Sequence, residues 1–145
     1  MKKPAYWMYE SLLVVNLLII FFTKPIKFLP ESKGITLFGF VLLLIAITLD
    51  IYWEMFWHKN SSGKRLVTKG IYKYVRHPFL SVLIISSFGL AITFNYFKSL
   101  VMAVVSTIVI LAGSKKEEGF LIEKYGKKYK RYIEKVRFRF IPGIL

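Results

Sequence analysis

The sequence predicts an all-α fold, an integral membrane bundle of about four transmembrane helices with a C-terminal interfacial helical segment. Three observations lead there. Of the 145 residues, 55% are apolar, which is too many for an ordinary water-soluble domain of this length. The apolar residues gather into four long runs. The 22 Lys and Arg, set against 8 Asp and Glu, fall in blocks between those runs rather than along one polar face. That distribution argues against nucleic acid as a partner and points instead to anionic membrane lipids.

The runs span about 7–28, 35–57, 79–97 and 100–114, each a candidate for crossing ~30 Å of hydrocarbon, which takes roughly 20 helical residues. Met1-Lys2-Lys3 ahead of the first run resembles a signal peptide. No small-residue cleavage site follows it, so we read an uncleaved first span. Asn16 within that span is the type of residue that hydrogen-bonds a neighbouring helix. The second run ends on Tyr52, Trp53 and Trp57, placed where an aromatic belt would sit, and carries Asp50 and Glu54 one turn apart, suited to pairing with loop lysines. Asn95, Lys98 and Ser99 are the turn residues between the third and fourth runs, which predicts a tight antiparallel hairpin with a short last span.

With four spans, 18 of the Lys and Arg share one side and Lys24, Lys27, Lys33 and Lys98 occupy the other. By the positive-inside rule both termini and the 58–78 loop are cytoplasmic in a multi-pass protein of the cell membrane. The whole chain reads as a single membrane domain, with the 58–78 loop and the 115–145 segment on the cytoplasmic face. After Ser114 the character changes to two short amphipathic helices broken at Gly126. Tyr125, Tyr129, Tyr132 and Val136 form a helical stripe facing either the membrane or the loop above it.

The absence of cysteine removes disulfides, thiolate zinc sites and cysteine nucleophiles, and no metal site is expected. Two stretches remain that could carry chemistry. Before the third run stands Leu66-Val-Thr-Lys-Gly-Ile-Tyr-Lys-Tyr-Val-Arg-His-Pro-Phe-Leu80. Pro78 there should open the helix, and its first-turn N–H groups, with Arg76 and His77 beside them, suit an anionic ligand group. The adjacent carboxylates Glu117 and Glu118 follow the fourth run, where they need cations close by, either basic side chains or a cationic ligand.

Together the two stretches resemble the isoprenylcysteine carboxyl methyltransferase and phospholipid methyltransferase superfamily of membrane enzymes. The matching pattern is Leu66-Val-Thr-x-Gly-x-Tyr-x-x-x-Arg-His-Pro, a membrane hairpin, Glu117-Glu-x-x-Leu-x-x-x-Tyr-Gly-x-x-Tyr-x-x-Tyr, and Ile141-Pro142. The resemblance implies an S-adenosylmethionine cavity capped by the loop and the C-terminal segment, with a lipophilic or lipidated methyl acceptor arriving from the bilayer. Leu66, Val67, Tyr72, His77, Pro78, Phe79 and Leu80 would line the cofactor, and Glu117 or its neighbour Glu118 would meet its ammonium group. Methyl transfer to a carboxylate needs no base; an amine acceptor such as phosphatidylethanolamine does, and His77 and Glu118 are the candidates for that catalytic role.

The chain departs from the resembling enzymes at two positions. Leu80 stands where they carry tyrosine, and Gly113 stands where the carboxyl methyltransferases carry arginine. The expected activity is S-adenosylmethionine-dependent methyl transfer of the isoprenylcysteine carboxyl methyltransferase kind. The alternatives are a phospholipid N-methyltransferase, a recruited relative of the sterol reductases with a nicotinamide cofactor, and a non-catalytic membrane scaffold.

Overall fold

The computed structural model describes residues 6–60 and 66–143. Residues 61–65, part of the loop expected to cap a cofactor, lie outside the described residues, as do the basic residues at positions 2 and 3. The described chain is helical throughout, without strands: α1 Tyr6–Phe22, α2 Lys33–Asn60, a 3-10 turn Gly70–Lys73, α3 Pro78–Phe94, α4 Phe97–Tyr125 and α5 Lys127–Lys135. At 28 and 29 residues, α2 and α4 are long and apolar enough to cross a membrane, while α1 and α3 are apolar helices of 17 residues each.

Several boundaries differ from those the sequence suggests, each for a local reason. The first helix stops at Phe22 rather than 28, because Pro25 disfavours helical backbone at Lys24. The second covers Lys33–Asn60 rather than 35–57. The third ends at Phe94 rather than 97, where Asn95 turns left-handed with φ 54°. Lys98 and Ser99 consequently lie in the first turn of α4, not in a loop. The fourth does not end at Ser114: the acidic and basic residues beyond it are good helix formers, and the helix continues three more turns to Tyr125. What reads as a separate amphipathic piece is the end of α4. Gly126, at φ 56°, makes the expected break before α5.

α3 is the middle of the bundle. It is apolar all round, buries residues from Pro78 to Thr93, and packs against α1, α2 and α4. The outer faces of α1 and α2 leave Phe21, Phe22, Leu37, Leu44 and Met55 more than half exposed, an apolar surface suited to lipid. A few polar contacts stitch the apolar helices together. The hydroxyl of Ser99 donates to Asn16 Oδ1 at 2.6 Å with both residues fully buried, the interhelical role expected of Asn16. Asn95 clamps the α1–α2 connection: its Oδ1 accepts from the N–H groups of Phe28 and Leu29, and its Nδ2 donates to the Leu29 carbonyl at 2.8 Å.

The α2–α3 crossing requires a glycine. A Cβ at Gly39 would stand 2.5 Å from both the backbone nitrogen and the hydroxyl of Thr93. Gly39→Ala should therefore destabilise the detergent-solubilised protein by about 1–3 kcal/mol through overpacking. Gly119→Ala, in the exposed part of α4 with nothing within 4 Å, should stabilise it by about 0.5–1 kcal/mol. Opposite shifts of the melting temperature check both.

Candidate active site

The site is assembled at the end of the bundle where the 66–77 segment, the extension of α4 and the C-terminal segment meet. Gly70, at φ 61°, starts the 3-10 turn, and the chain then turns through Tyr74 and bends at Arg76 before His77, which precedes Pro78. This short stretch pairs with the C-terminal segment: Arg76 N–H donates to the Phe138 carbonyl at 3.1 Å, and His77 N–H to the Arg139 carbonyl at 2.8 Å. The Arg76 side chain reinforces the same join, donating through Nη1 to the carbonyls of Val136 and Arg137 at 2.6 and 2.8 Å. Arg76 is thus buried and structural, rather than reaching towards lipid.

Glu118 is the centre of the polar network. Its Oε1 accepts from Arg76 Nε at 2.8 Å, and its Oε2 from Arg139 Nη2 at 2.8 Å. His77 sits between the two carboxylates, with Nδ1 3.3 Å from Glu117 Oε2 and Nε2 3.4 Å from Glu118 Oε1. Burial alone would lower the His77 pKa. The hydrogen bonds to Glu117 and then Glu118, with their negative charge, outweigh it and hold the imidazole above its ordinary value.

All eight residues expected around a cofactor, Leu66, Val67, Tyr72, His77, Pro78, Phe79, Leu80 and Glu117, line one cavity of about 120 Å³. Glu118 is not among the lining residues; it stands behind His77. Other walls were not foreseen as such. Trp53 and Trp57, read from the sequence as an aromatic belt, stack at 5.8 Å and turn into the cavity, where Trp53 also packs on Phe79 with ring centres 4.7 Å apart. The signal that could have found them is their i, i+4 spacing on α2, which puts both rings on one face. The stripe of Tyr129 and Tyr132 also faces the cavity, and the Tyr132 hydroxyl donates to the Tyr72 carbonyl at 2.8 Å. The membrane is therefore not what covers that stripe. The Trp53 indole N–H donates to the Tyr72 hydroxyl at 3.0 Å. Burial pushes that phenol up to about 12, against the lowering effect of the indole bond and with a further rise from Glu117. Asp50 and Glu54 lie away from this cavity, and among the described residues Glu54 pairs with His58 on its own helix.

The two departures noted in the sequence also have structural counterparts. Leu80 is fully buried in the core beneath the cavity. At Gly113 the phenol of Tyr9 from α1 occupies the place of a side chain: a Cβ there would collide with the Tyr9 hydroxyl and lie 2.8 Å from its Cζ.

The lining suits a cationic organic ligand. It offers π faces to a sulfonium and the Glu117 carboxylate to an ammonium. Its volume is below the roughly 300–1,000 Å³ of pockets that enclose a whole small-molecule ligand, so a ligand of that size needs a wider cavity than this conformation offers.

Comparison with known proteins gives the family. A family model described as phospholipid methyltransferase matches residues 33–128, about two thirds of the chain, and the chain belongs to that family. It is similar to a methanethiol S-methyltransferase of Pseudomonas deceptionensis, 33% identical over 108 residues that cover 68% of this chain and 40% of that protein. It is also similar to a probable 7-dehydrocholesterol reductase of Acanthamoeba polyphaga mimivirus, 30% identical over 84 residues that cover 57% of this chain and 19% of that protein. The chain thus spans two fifths or less of these relatives' lengths. The chain thus belongs to a membrane methyltransferase family and carries two helices long and apolar enough to cross a membrane.

Two outcomes follow from the network. Glu118→Ala leaves the two guanidiniums without their carboxylate and should destabilise the protein by about 3–5 kcal/mol, releasing the C-terminal segment to limited trypsin cleavage at Arg137 and Arg139. His77, with its pKa raised on folding, contributes stability that is fully present below its unfolded value of about 6.5 and is lost as pH rises through the folded value. The melting-temperature deficit of His77→Gln should accordingly be largest in mild acid and shrink towards alkaline pH.

Proposed function

We propose that the protein is a membrane-embedded, S-adenosylmethionine-dependent methyltransferase acting on a lipophilic acceptor. The observation that carries this reading is the convergence of Glu117, His77 and an aromatic wall of Trp53, Trp57 and Tyr72 on one cavity. In this reading all four apolar helices span the bilayer, and the cavity faces the cytoplasm with both termini, on the side holding 18 of 22 basic residues. The exposed Lys127, Lys128, Lys130, Arg131 and Lys135 of α5 then meet anionic headgroups.

Bound here, the cofactor would supply an electrophilic methyl group to the acceptor's lone pair and would keep the electrons of the carbon–sulfur bond as a neutral thioether. The chain's own residues bind, orient and exclude water. Glu117 would hold the ammonium end, and the indole and phenol faces would surround the sulfonium charge. Leu66, Val67, Pro78, Phe79 and Leu80 keep the reacting atoms dry, which favours a step that disperses charge. Where the acceptor carries a proton, the imidazole of His77 is the group to receive it. Glu118, fixed by Arg76 and Arg139, acts through His77 by holding its ring in place, a positioning part rather than direct proton transfer. The family description supports a phospholipid amine as acceptor, and the similar protein's name a small thiol.

Calorimetric titration of the detergent-purified protein with S-adenosylmethionine tests the reading. Wild type should bind with micromolar affinity, and Glu117→Ala and His77→Ala should each weaken binding at least about tenfold, the loss expected for one charge-assisted hydrogen bond. A folded wild type with no affinity overturns it.

A further inference from the structure

Beside the cofactor cavity, α5 and the 66–73 stretch enclose a second, open cleft of about 560 Å³. Lys127, Lys128, Arg131 and Lys135 stand on its helical side, and Lys73, from the 3-10 turn, stands on the other. All five are exposed, so a ligand can reach them. No Asp or Glu lines the cleft, and among the described residues none of the five cations pairs with a carboxylate. Left to itself such a cluster is unfavourable. Lys127, Arg131 and Lys135 follow at i, i+4 spacing, where like charges destabilise a helix, and Lys73 adds a further positive charge from a separate piece of chain. The positive end of the α5 dipole falls at Lys127 and Lys128, because Gly126 has no side chain to cap it.

We propose that this cleft is a binding site for the phosphate monoester head group of a membrane lipid. A monoester carries roughly twice the negative charge of a phosphodiester near pH 7, with three strong acceptor oxygens, and so answers an excess of cations that one charge would leave largely unbalanced. Four of the five cations are lysines, mobile point charges that can each turn an ammonium towards a phosphate oxygen. The hydroxyl of Thr68, in the same wall as Lys73, offers a neutral donor. Two exposed aromatics flank the cleft in sequence, Tyr74 next to Lys73 and Phe138 two residues past Val136, a surface suited to the depth of a lipid head group. Diffuse attraction of α5 to a charged surface would have no use for the opposite wall. It would also draw equally on Lys130, which is exposed on the same helix but lies outside the cleft. Tyr132 lines this cleft and the cofactor cavity alike, and its hydroxyl bonds the Tyr72 carbonyl. A head group seated here therefore braces α5 against the 66–73 stretch, two walls of the cofactor cavity. Nothing in this site depends on which acceptor is methylated, or on whether methyl transfer occurs.

The test titrates the full chain, purified in a non-ionic detergent, with dioctanoyl phosphatidic acid, dioctanoyl phosphatidylglycerol and inorganic phosphate, and reads binding by calorimetry without cofactor. Wild type should bind the phosphatidic acid at one site, and the phosphatidylglycerol and the inorganic phosphate each at least about tenfold more weakly, about the difference made by one charge-assisted hydrogen bond. Lys73→Gln and Arg131→Gln, on opposite walls, should each weaken the phosphatidic acid about fivefold, the upper end for an exposed ion pair. Lys130→Gln removes the same charge from the same helix and should leave the affinity unchanged. Equal affinity for the two lipids overturns the proposal, because a phosphomonoester is then not selected. Inorganic phosphate binding as tightly as the lipid overturns the lipid as its source. A Lys130→Gln defect equal to that of Arg131→Gln reduces the cleft to diffuse surface charge, and no binding to wild type removes the site altogether.

Discussion

The Glu118 carboxylate, gripped by Arg76 from one side and Arg139 from the other, is the interaction on which the rest of the site depends. It joins three pieces of chain far apart in sequence: the stretch before α3, the extension of α4, and the segment after α5. Ion pairs this deep are costly to form, and they persist where the geometry satisfies nearly every donor. Here Nη1 of Arg76 reaches two main-chain carbonyls of the C-terminal segment, so the charge is neutralised and the backbone is capped by the same side chain. His77 gains its orientation from this arrangement. It could not stand between two carboxylates if one of them were free to swing.

Much of the architecture was legible because lipid-facing helices leave a strong compositional trace. The break at Gly126, the helix start at Pro78 and the interhelical use of Asn16 follow from properties of those residues alone. The extent of α4 did not, because the change from apolar to charged residues at Ser114 marks a change of surroundings and not of backbone conformation. Charged residues with high helix propensity continue a helix after the hydrophobic run has ended. The cavity was legible where a motif existed and not where the surroundings decide. Leu66, Tyr72 and Glu117 belong to the pattern; Trp53 and Trp57 look the same in sequence whether they face headgroups or a cofactor. Nor does any spacing foretell that Tyr9 would fill the space over Gly113, a contact between residues more than a hundred positions apart.

The electrostatic design separates two jobs that adjacent carboxylates could have shared. Glu118 faces guanidiniums and is structural, while Glu117, its neighbour on the same helix, faces aromatic rings and the imidazole. Consecutive helical residues point about 100° apart, so one helix end can serve a structural joint and a ligand cavity at once. Two adjacent carboxylates of one motif can thus take different parts while sharing their chemistry.

The unbroken course of α4 carries a further consequence. Its apolar two thirds and the Glu117–Glu118 pair belong to one continuous helix, with no hinge between the part suited to hydrocarbon and the part that builds the cavity. Such a helix acts as a depth gauge. Where the bilayer boundary falls along it fixes how far the carboxylates stand from the headgroups, and hydrophobic mismatch, accommodated by tilt, would move cavity and membrane surface relative to each other. Bilayer thickness would thereby become a physical variable of the cavity itself.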